Sequence, residues 1–235
     1  MRAHDEEVDP ARRQLLLAAL GAMASGWAPA GVVEAAEMIA GRSIYLLRGT
    51  VLVNGKPAEP AMRIFGSDLI ETGADGEIVF RIESDAFILR PNSRLQINAP
   101  PGDNTLAQGL RLLTGALLSV FAHRPHRIRT VTAQIGIRGT GVYCEVEPDR
   151  DYICTCYGIT DLAALDDASS QATVEAGHHE SRYILREGAV GQRIRKASFK
   201  NHTDAELTLI ESLVGRTPAF RGATDGYRRP RRRDY

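Results

Sequence analysis

The sequence predicts a mainly β protein with a single α-helix towards its C-terminus. Short apolar segments rich in β-branched residues alternate with turn signals such as Asn54-Gly55 and Asp75-Gly76, the pattern of short strands joined by tight turns. Glycine also stands just before several apolar segments, as Gly115 does before Leu117. This arrangement favours a short β-solenoid or roll with glycine at its corners, and a β-sandwich is the alternative.

Composition bounds the class of protein. The chain has 235 residues, of which 43% are hydrophobic, enough for one full core. Its 29 lysine and arginine residues are balanced by 29 aspartate and glutamate residues. Because the net charge is zero, no overall positive electrostatic field attracts the molecule to nucleic acid, and we expect no nucleic-acid partner.

The N-terminal segment has the features of an export signal. Arg12 and Arg13 precede an apolar run, Leu15–Met23, and small residues follow it, the order of regions in a signal peptide. The arginine pair predicts the twin-arginine route, with ordinary Sec export as the alternative. The run is shorter than the roughly 20 residues that span a bilayer. We therefore expect residues 1–35 to be removed, the mature chain to have no stable membrane span, and the protein to lie in the periplasm.

The body of the chain is predicted to be β-structure in two parts, a main domain over residues 42–165 and an extension over 166–200. The first apolar segment, Ile44–Val53, ends at a hairpin turn, and shorter strands follow between residues 78 and 97. Longer apolar segments lie at 110–121 and 127–133. The glycines predicted to serve the fold stand at turns or strand ends and are Gly73, Gly76, Gly115, Gly139 and Gly141.

One helix is predicted within residues 201–220. Thr203 and Glu206 have the spacing of a capping box. Apolar residues then follow at helical spacing from Leu207 to Val214, and Gly215 ends the pattern. Beyond it, residues 221–235 are rich in arginine, which predicts a basic disordered tail.

Three motifs follow one another along the predicted main domain. They are Gly66–Phe80, which contains two turn signals and then an apolar strand, Gly115–Val120, and Ala133–Val142. In this order they resemble the FecR domain family, whose members sit in the bacterial periplasm and relay the state of an outer-membrane receptor. The resemblance spans about residues 44–165. It implies a solenoid or roll of FecR type that senses or binds an envelope protein or receptor and has no enzymatic activity.

The resemblance also bears on the relay itself. Signalling members of the FecR family carry a cytoplasmic region ahead of a membrane span. Here only a short segment precedes Leu15. We therefore expect the periplasmic module without the family's transmembrane relay.

The chemically distinctive segment is a predicted hairpin over residues 142–158. Cys144 lies on its first strand, and Cys154 and Cys156 lie on its second. Alternate residues of a strand share a face, so a register that sets Cys144 opposite Cys154 or Cys156 clusters the three thiols, whereas a one-residue slip separates them. His178 and His179 follow in a glycine-led turn, with His202 further along the chain.

Three interpretations of these residues stay open. In the first, the cysteines are small buried hydrophobic side chains. In the second, Cys144 forms a disulfide with Cys154 or Cys156 in an oxidising compartment. In the third, a zinc ion, a Cu(I) ion or an iron–sulfur centre is bound; its predicted ligands are Cys144, Cys154, Cys156, His178 and His179. The two structural interpretations are favoured, because Cys-x-Cys spacing on a strand also arises from packing alone.

No enzyme is predicted. The sequence contains no nucleophile elbow, P-loop or His-Glu-x-x-His motif. The predicted function is an exported, non-enzymatic FecR-like module that binds an envelope partner and carries no cofactor. The alternative is an exported protein that binds a metal or iron–sulfur cluster through the cysteine and histidine set.

Overall fold

The computed structural model describes residues 42–98 and 109–222. The predicted export signal at residues 1–35, with Arg12 and Arg13, lies outside the described residues, as do residues 223–235 of the predicted tail. Within the described ranges, no helix has both the length and the apolar character needed to cross a membrane.

The mainly β class is confirmed, since the described residues form fourteen strands that join one sheet. In chain order the strands are β1 (Ile44–Arg48), β2 (Val51–Val53), β3 (Lys56–Pro57), β4 (Leu69–Thr72), β5 (Glu77–Ile82), β6 (Asp85–Leu89), β7 (Arg94–Ile97), β8 (Leu110–Val120), β9 (Pro125–Arg129), β10 (Ala133–Val146), β11 (Arg150–Ala164), β12 (Asp167–Ala176), β13 (Glu180–Leu185) and β14 (Ile194–Lys196).

Strand pairing in this sheet differs from the predicted solenoid. The main path runs β14-β13-β11-β10-β9-β8-β7-β4-β2-β3, with β8 also joined through β6 and β5 to β1, and β12 joined to β11. Among these strands every ladder is antiparallel except that between β8 and β9. A solenoid stacks successive turns of chain as parallel rungs, and the pairing of these strands does not show one.

Alternate residues of the central strands β10 and β11 enter two separate apolar cores. Val142 and Cys144 on β10 lie in one core with Phe80, whereas Tyr143 lies in the other. On β11, Cys154 and Cys156 lie in the second core, with Tyr143. This separation follows from the two-residue period of a strand, which turns successive side chains to opposite faces of the sheet.

The predicted C-terminal helix is confirmed. Helix α1 spans Asp204–Ser212, with Thr203 as its N-cap and both hydrogen bonds of the capping box to Glu206. Its apolar residues Leu207 and Ile210 are fully buried in the second core, and the helix contacts β6 and β8. A short 3₁₀-helix follows at Ala219–Gly222.

Two of the glycines predicted to be structural flank a bulge in β10. Gly139 has a φ of +60°, a left-handed conformation that a Cβ disfavours. Gly141 instead lies against an aromatic ring, because a Cβ placed there would meet Tyr157 at 2.6 Å. The pairing of β10 with β11 shifts register between Arg138 and Gly141, so both glycines lie where the two long strands bend.

Candidate metal centre

Four ligand-type side chains converge beneath the N-terminus of α1. They are Cys154, Cys156, His179 and His202, and one ligand atom from each lies within 4.8 Å of all the others. The Sγ atom of Cys154 is 3.6 Å from Nδ1 of His179, and Sγ of Cys156 is 3.3 Å from Nε2 of His202. The two imidazole nitrogens are themselves 3.3 Å apart. Two thiols and two imidazoles therefore face a common point.

Strand β11 supplies the two thiols. Cys154 and Cys156 are two residues apart, so both point to the face that α1 covers. Both are fully buried. Strand β13 pairs with β11 alongside them, since Cys154 lies opposite Ser181.

The turn between β12 and β13 supplies the third group. His179 has a φ of +52°, a left-handed conformation in which histidine occurs more often than most residues other than glycine. Its backbone N–H donates to the carbonyl oxygen of Cys156 at 2.9 Å. Its Nε2 atom lies 2.8 Å from Oδ1 of Asp204, so the outer nitrogen donates to this carboxylate and the inner Nδ1 faces the thiols.

The segment before α1 supplies the fourth group. His202 is buried, and its Nδ1 atom lies 2.8 Å from the carbonyl oxygen of Lys200. The ring stacks on Tyr143, with centroids 4.6 Å apart and an interplanar angle of 16°. The ring of Phe199 covers the site from outside. Its centroid lies 4.3 Å from that of the His179 ring and 4.6 Å from that of the His202 ring.

These distances match those around one tetrahedral ion. Zinc binds thiolate at about 2.3 Å and imidazole at about 2.0–2.1 Å, so a tetrahedron sets two nitrogens about 3.3 Å apart and sulfur and nitrogen about 3.5 Å apart. The observed separations are 3.3 Å between His179 and His202, and 3.3 and 3.6 Å for the two sulfur–nitrogen pairs. Three of the six separations between ligand atoms therefore match a closed Cys₂His₂ site, and all four atoms lie within 4.8 Å of one another.

The outer partners of both histidines are those of metal ligands. A ligating histidine almost always donates its second ring nitrogen to a carboxylate or a backbone carbonyl, which fixes the tautomer. His179 meets the carboxylate of Asp204, and His202 meets the carbonyl of Lys200. With the outer nitrogens protonated, each neutral ring directs a lone pair at the point that the sulfur atoms face.

Electrostatics at the site favour a thiolate. Hydrogen bonding from Cys156, together with His179 and His202, holds the pKa of the Cys154 thiol well below its usual range. Burial raises the pKa of Cys156, and the neighbouring Cys154 raises it further. Burial opposes the charged form of His179, but hydrogen bonds with Cys154 and Asp204 outweigh it and raise the pKa of this imidazole. A cation in the centre therefore has to displace protons that the ligands share.

The structure separates Cys144 from the other two thiols. In the β10–β11 ladder Cys144 lies opposite Ile153, and Tyr143 lies opposite Cys154, so the register that would cluster all three cysteines is wrong. Cys144 belongs to the other core, and all three cysteines are free. The predicted disulfide from Cys144 to Cys154 or Cys156 is therefore absent from the structure.

Among the remaining predicted ligands, His178 has a different role from His179. Its Nε2 atom lies 2.9 and 3.1 Å from the two carboxylate oxygens of Asp204. Asp204 thus joins both histidines of the turn, and His178 lies outside the four-ligand cluster. Of the predicted ligands, Cys154, Cys156 and His179 lie together, and metal binding by them stays a prediction.

Sequence reasoning did not assign His202 as a ligand, although a local signal was present. His202 stands directly before the N-cap Thr203, a position where an apolar residue usually packs against the first turn of the helix. A histidine at this position is a polar residue that the fold buries. A buried histidine of this kind needs partners for both ring nitrogens.

Comparison with known proteins does not assign a family. No family model matches the chain, and no curated protein matches it. Among solved structures, two crystal structures of a candidate anti-sigma factor from Parabacteroides distasonis align with TM-scores of 0.45 and 0.44 and identities of 11% and 10%. Each alignment covers 55% of this chain and 58% of the other, so the chain spans little more than half the length of these structures. Membership of the FecR family stays a prediction.

Proposed function

We propose that this protein is a zinc-binding, non-enzymatic module of the bacterial envelope. The observation that carries the proposal is the convergence of Cys154, Cys156, His179 and His202 at the spacing of one tetrahedral ion. All four coordination positions are supplied by protein, as in structural zinc sites, whereas catalytic sites keep one position open.

The charge of the ligand set favours a divalent ion. Two thiolates and two neutral imidazoles carry two negative charges, which Zn²⁺ neutralises, whereas Cu(I) leaves one negative charge uncompensated. A net charge in a buried site is costly, and both sulfur atoms are fully buried. An iron–sulfur cluster with two cysteines and two histidines places each pair on a different iron, and the contact of His179 with Cys154 and His202 at 3.6 and 3.3 Å leaves no room for such a cluster.

A cysteine nucleophile is the competing function, because Cys154, His179 and Asp204 also have the order of a nucleophile, a base and an orienting carboxylate. In that interpretation His179 bridges Cys154 and Asp204 at 3.6 and 2.8 Å. The burial of Cys154 argues against it, since no substrate reaches a fully buried sulfur. The fourth group, His202, also lies against the would-be base, with its Nε2 atom 3.3 Å from Nδ1 of His179.

The proposed location and role rest on the sequence. The arginine pair Arg12 and Arg13 before an apolar run supports export, and the FecR-like motifs between residues 44 and 165 support a role in sensing or binding an envelope partner. Cell fractionation with intact-mass analysis tests the location, because export predicts a periplasmic chain that lacks about 30 residues, the usual length of a signal peptide. A chain that starts at Met1 and stays in the cytoplasm would contradict export.

Metal analysis of the purified protein tests the zinc site. We expect elemental mass spectrometry to find about one equivalent of zinc per chain. The protein is also expected to compete with a chromophoric chelator for this zinc. Cys154→Ala and Cys156→Ala are expected to lose the metal. Cys144→Ala is the matched control and is expected to keep the metal. Cys144 is an equally buried thiol, but it lies on the neighbouring strand β10 and faces the other core of the sheet. Equal zinc content in all three variants would exclude the site.

A further inference from the structure

We infer that the metal centre is a latch that holds the C-terminal segment, residues 197–222, on the sheet. The inference rests on the proposed zinc site and adds a regulatory role to it. Cys154 and Cys156 belong to β11, and His179 to the turn that follows β12. His202 belongs to the segment that leads into α1, and Asp204, the outer partner of His179, is the first residue of α1. One ion therefore joins two parts of the chain.

The segment depends on such attachments for its structure. Helix α1 has nine residues, and isolated helices shorter than about 12–15 residues are marginal in water. Its order therefore comes from docking, through Leu207 and Ile210 in the second core. Because His202 stands two residues before the first helical residue, a ligand bond there fixes the end of the chain from which the helix starts.

Other polar contacts also join the segment to the sheet, namely a buried hydrogen bond from the hydroxyl of Tyr157 to Glu211 of α1 and several partly exposed contacts. Arg90 pairs with Glu206 at 2.8 Å, and Lys200 with Glu145 at 3.3 Å, and Asn201 donates to Glu145 at 2.8 Å. Ion pairs that water reaches contribute little to stability. Ligation of His202 is different, because its strength depends on whether zinc is present.

Linkage converts this arrangement into a switch. An ion that binds only when His202 lies against Cys154 and Cys156 stabilises the docked segment in proportion to the logarithm of its concentration over its dissociation constant. Loss of the ion leaves the short helix held by its apolar packing in the second core and by these polar contacts, without the ligand bond at His202. Undocking of α1 then uncovers apolar residues that share its core, namely Val79, Ile88 and Leu118. Zinc supply thereby controls whether this face of the sheet is covered.

Hydrogen–deuterium exchange of the full-length chain tests the latch. The amides of Asp204–Ser212 are followed by mass spectrometry in zinc-loaded protein and in protein stripped with a chelator, with β4 (Leu69–Thr72) as an internal reference. We expect zinc to slow exchange in α1 about tenfold or more while leaving β4 unchanged. His179→Asn, which alters a ligand on the sheet side and no residue of the helix, is expected to abolish this difference. His123→Asn, a histidine outside the cluster, is expected to retain it.

Each result of this experiment separates the latch from the zinc site itself. If about one equivalent of zinc binds and exchange in α1 is the same with and without it, the latch is overturned and the zinc site stands. Equal slowing in α1 and β4 also overturns the latch, because it reports global stabilisation. If no zinc binds, both proposals fail. Chelator treatment of the unaltered chain keeps the test valid should His179→Asn fold poorly.

Discussion

The backbone N–H of His179 donates to the carbonyl oxygen of Cys156 at 2.9 Å, and His179 holds a φ of +52° as it does so. This bond ties the turn after β12 to the strand that carries both thiols. With the backbone fixed in this way, the imidazole brings Nδ1 to Cys154 and Nε2 to Asp204. A sparsely populated backbone conformation at a site of converging ligands is typical of a functional constraint.

Two substitutions at His179 separate its backbone role from its ligand role. His179→Asn removes the imidazole, but asparagine tolerates the left-handed conformation; His179→Val removes the imidazole and resists the conformation. We expect both variants to bind zinc at least about tenfold more weakly. In chelator, the valine variant is expected to be less stable than the asparagine variant by about 1–3 kcal/mol, measured by urea unfolding. Equal stabilities would show that the turn does not require this φ.

The second prediction concerns Asp204, the shared partner of His178 and His179. Burial opposes its charge, but hydrogen bonds from both histidines outweigh this effect and lower the pKa of its carboxyl group. Removing an outer partner of a ligating histidine typically weakens metal binding about 10–100-fold, and we expect Asp204→Asn to do so in a chelator competition. Glu206→Gln removes a charge from the same first turn of α1 and is the control. A similar loss of affinity in both variants would assign the effect to the helix.

The helix and the metal centre differ in how far the sequence predicts them. Thr203 and Glu206 are within one turn of each other, so the capping box is a local signal and placed the start of α1 correctly. His179 and His202 are separated by β13, β14 and the connection to α1, and their contact depends on how the helix docks. No local pattern records that docking, so His202 was not assigned as a ligand.

The face of the sheet on which Cys144 lies depends on the number of residues in the loop between β10 and β11. Val146 pairs with Asp151, so four residues form the loop, and within it the backbone N–H of Glu147 donates to the carbonyl oxygen of Arg150. With this loop length Cys144 lies opposite Ile153 and faces the other core. A loop one residue shorter or longer would reverse the faces, since the side-chain period of a strand is two. The sequence near Pro148 indicates a turn without fixing its length.

The third prediction concerns Gly139. Its φ of +60° and the nearby His123, whose Nδ1 would lie 3.2 Å from an added Cβ, predict that Gly139→Ala lowers the free energy of unfolding by about 1–3 kcal/mol. Gly177→Ala is the control, because an added Cβ there meets nothing within 4 Å, and it is expected to be neutral or slightly stabilising. Thermal and urea unfolding of both variants provide the comparison. An unchanged midpoint for Gly139→Ala would show that this position needs no glycine.

Acid stability provides the fourth prediction. The hydroxyl of Ser170 and the N–H of Gly191 donate to Asp167, and these bonds lower the pKa of its carboxyl group. A folded pKa below the unfolded value of about 3.9 adds stability that is present at neutral pH and is lost as the pH falls through the folded pKa. Asp167→Asn should therefore be less stable than the unaltered protein at pH 7, and the difference should shrink towards about pH 3. Asp166→Asn, which removes an exposed neighbouring carboxylate, is the control for loss of a negative charge at this turn; a difference for Asp167→Asn that stays the same down to about pH 3 would contradict the prediction.

Thiol chemistry provides the last prediction and discriminates zinc binding from nucleophilic catalysis. Zinc-loaded native protein is expected to resist iodoacetamide at all three cysteines, because Cys144 is buried and the thiolates of Cys154 and Cys156 are ligands. After chelation, undocking of α1 is expected to open the buried site, and Cys154 should then react first, since hydrogen bonding from Cys156 and His179 lowers its pKa and reactivity follows the thiolate. Burial raises the pKa of Cys144, so Cys144 should react only on unfolding, when all three free thiols are counted. Rapid alkylation of Cys154 without chelator would instead favour a cysteine nucleophile, and a count of one thiol would reveal a disulfide.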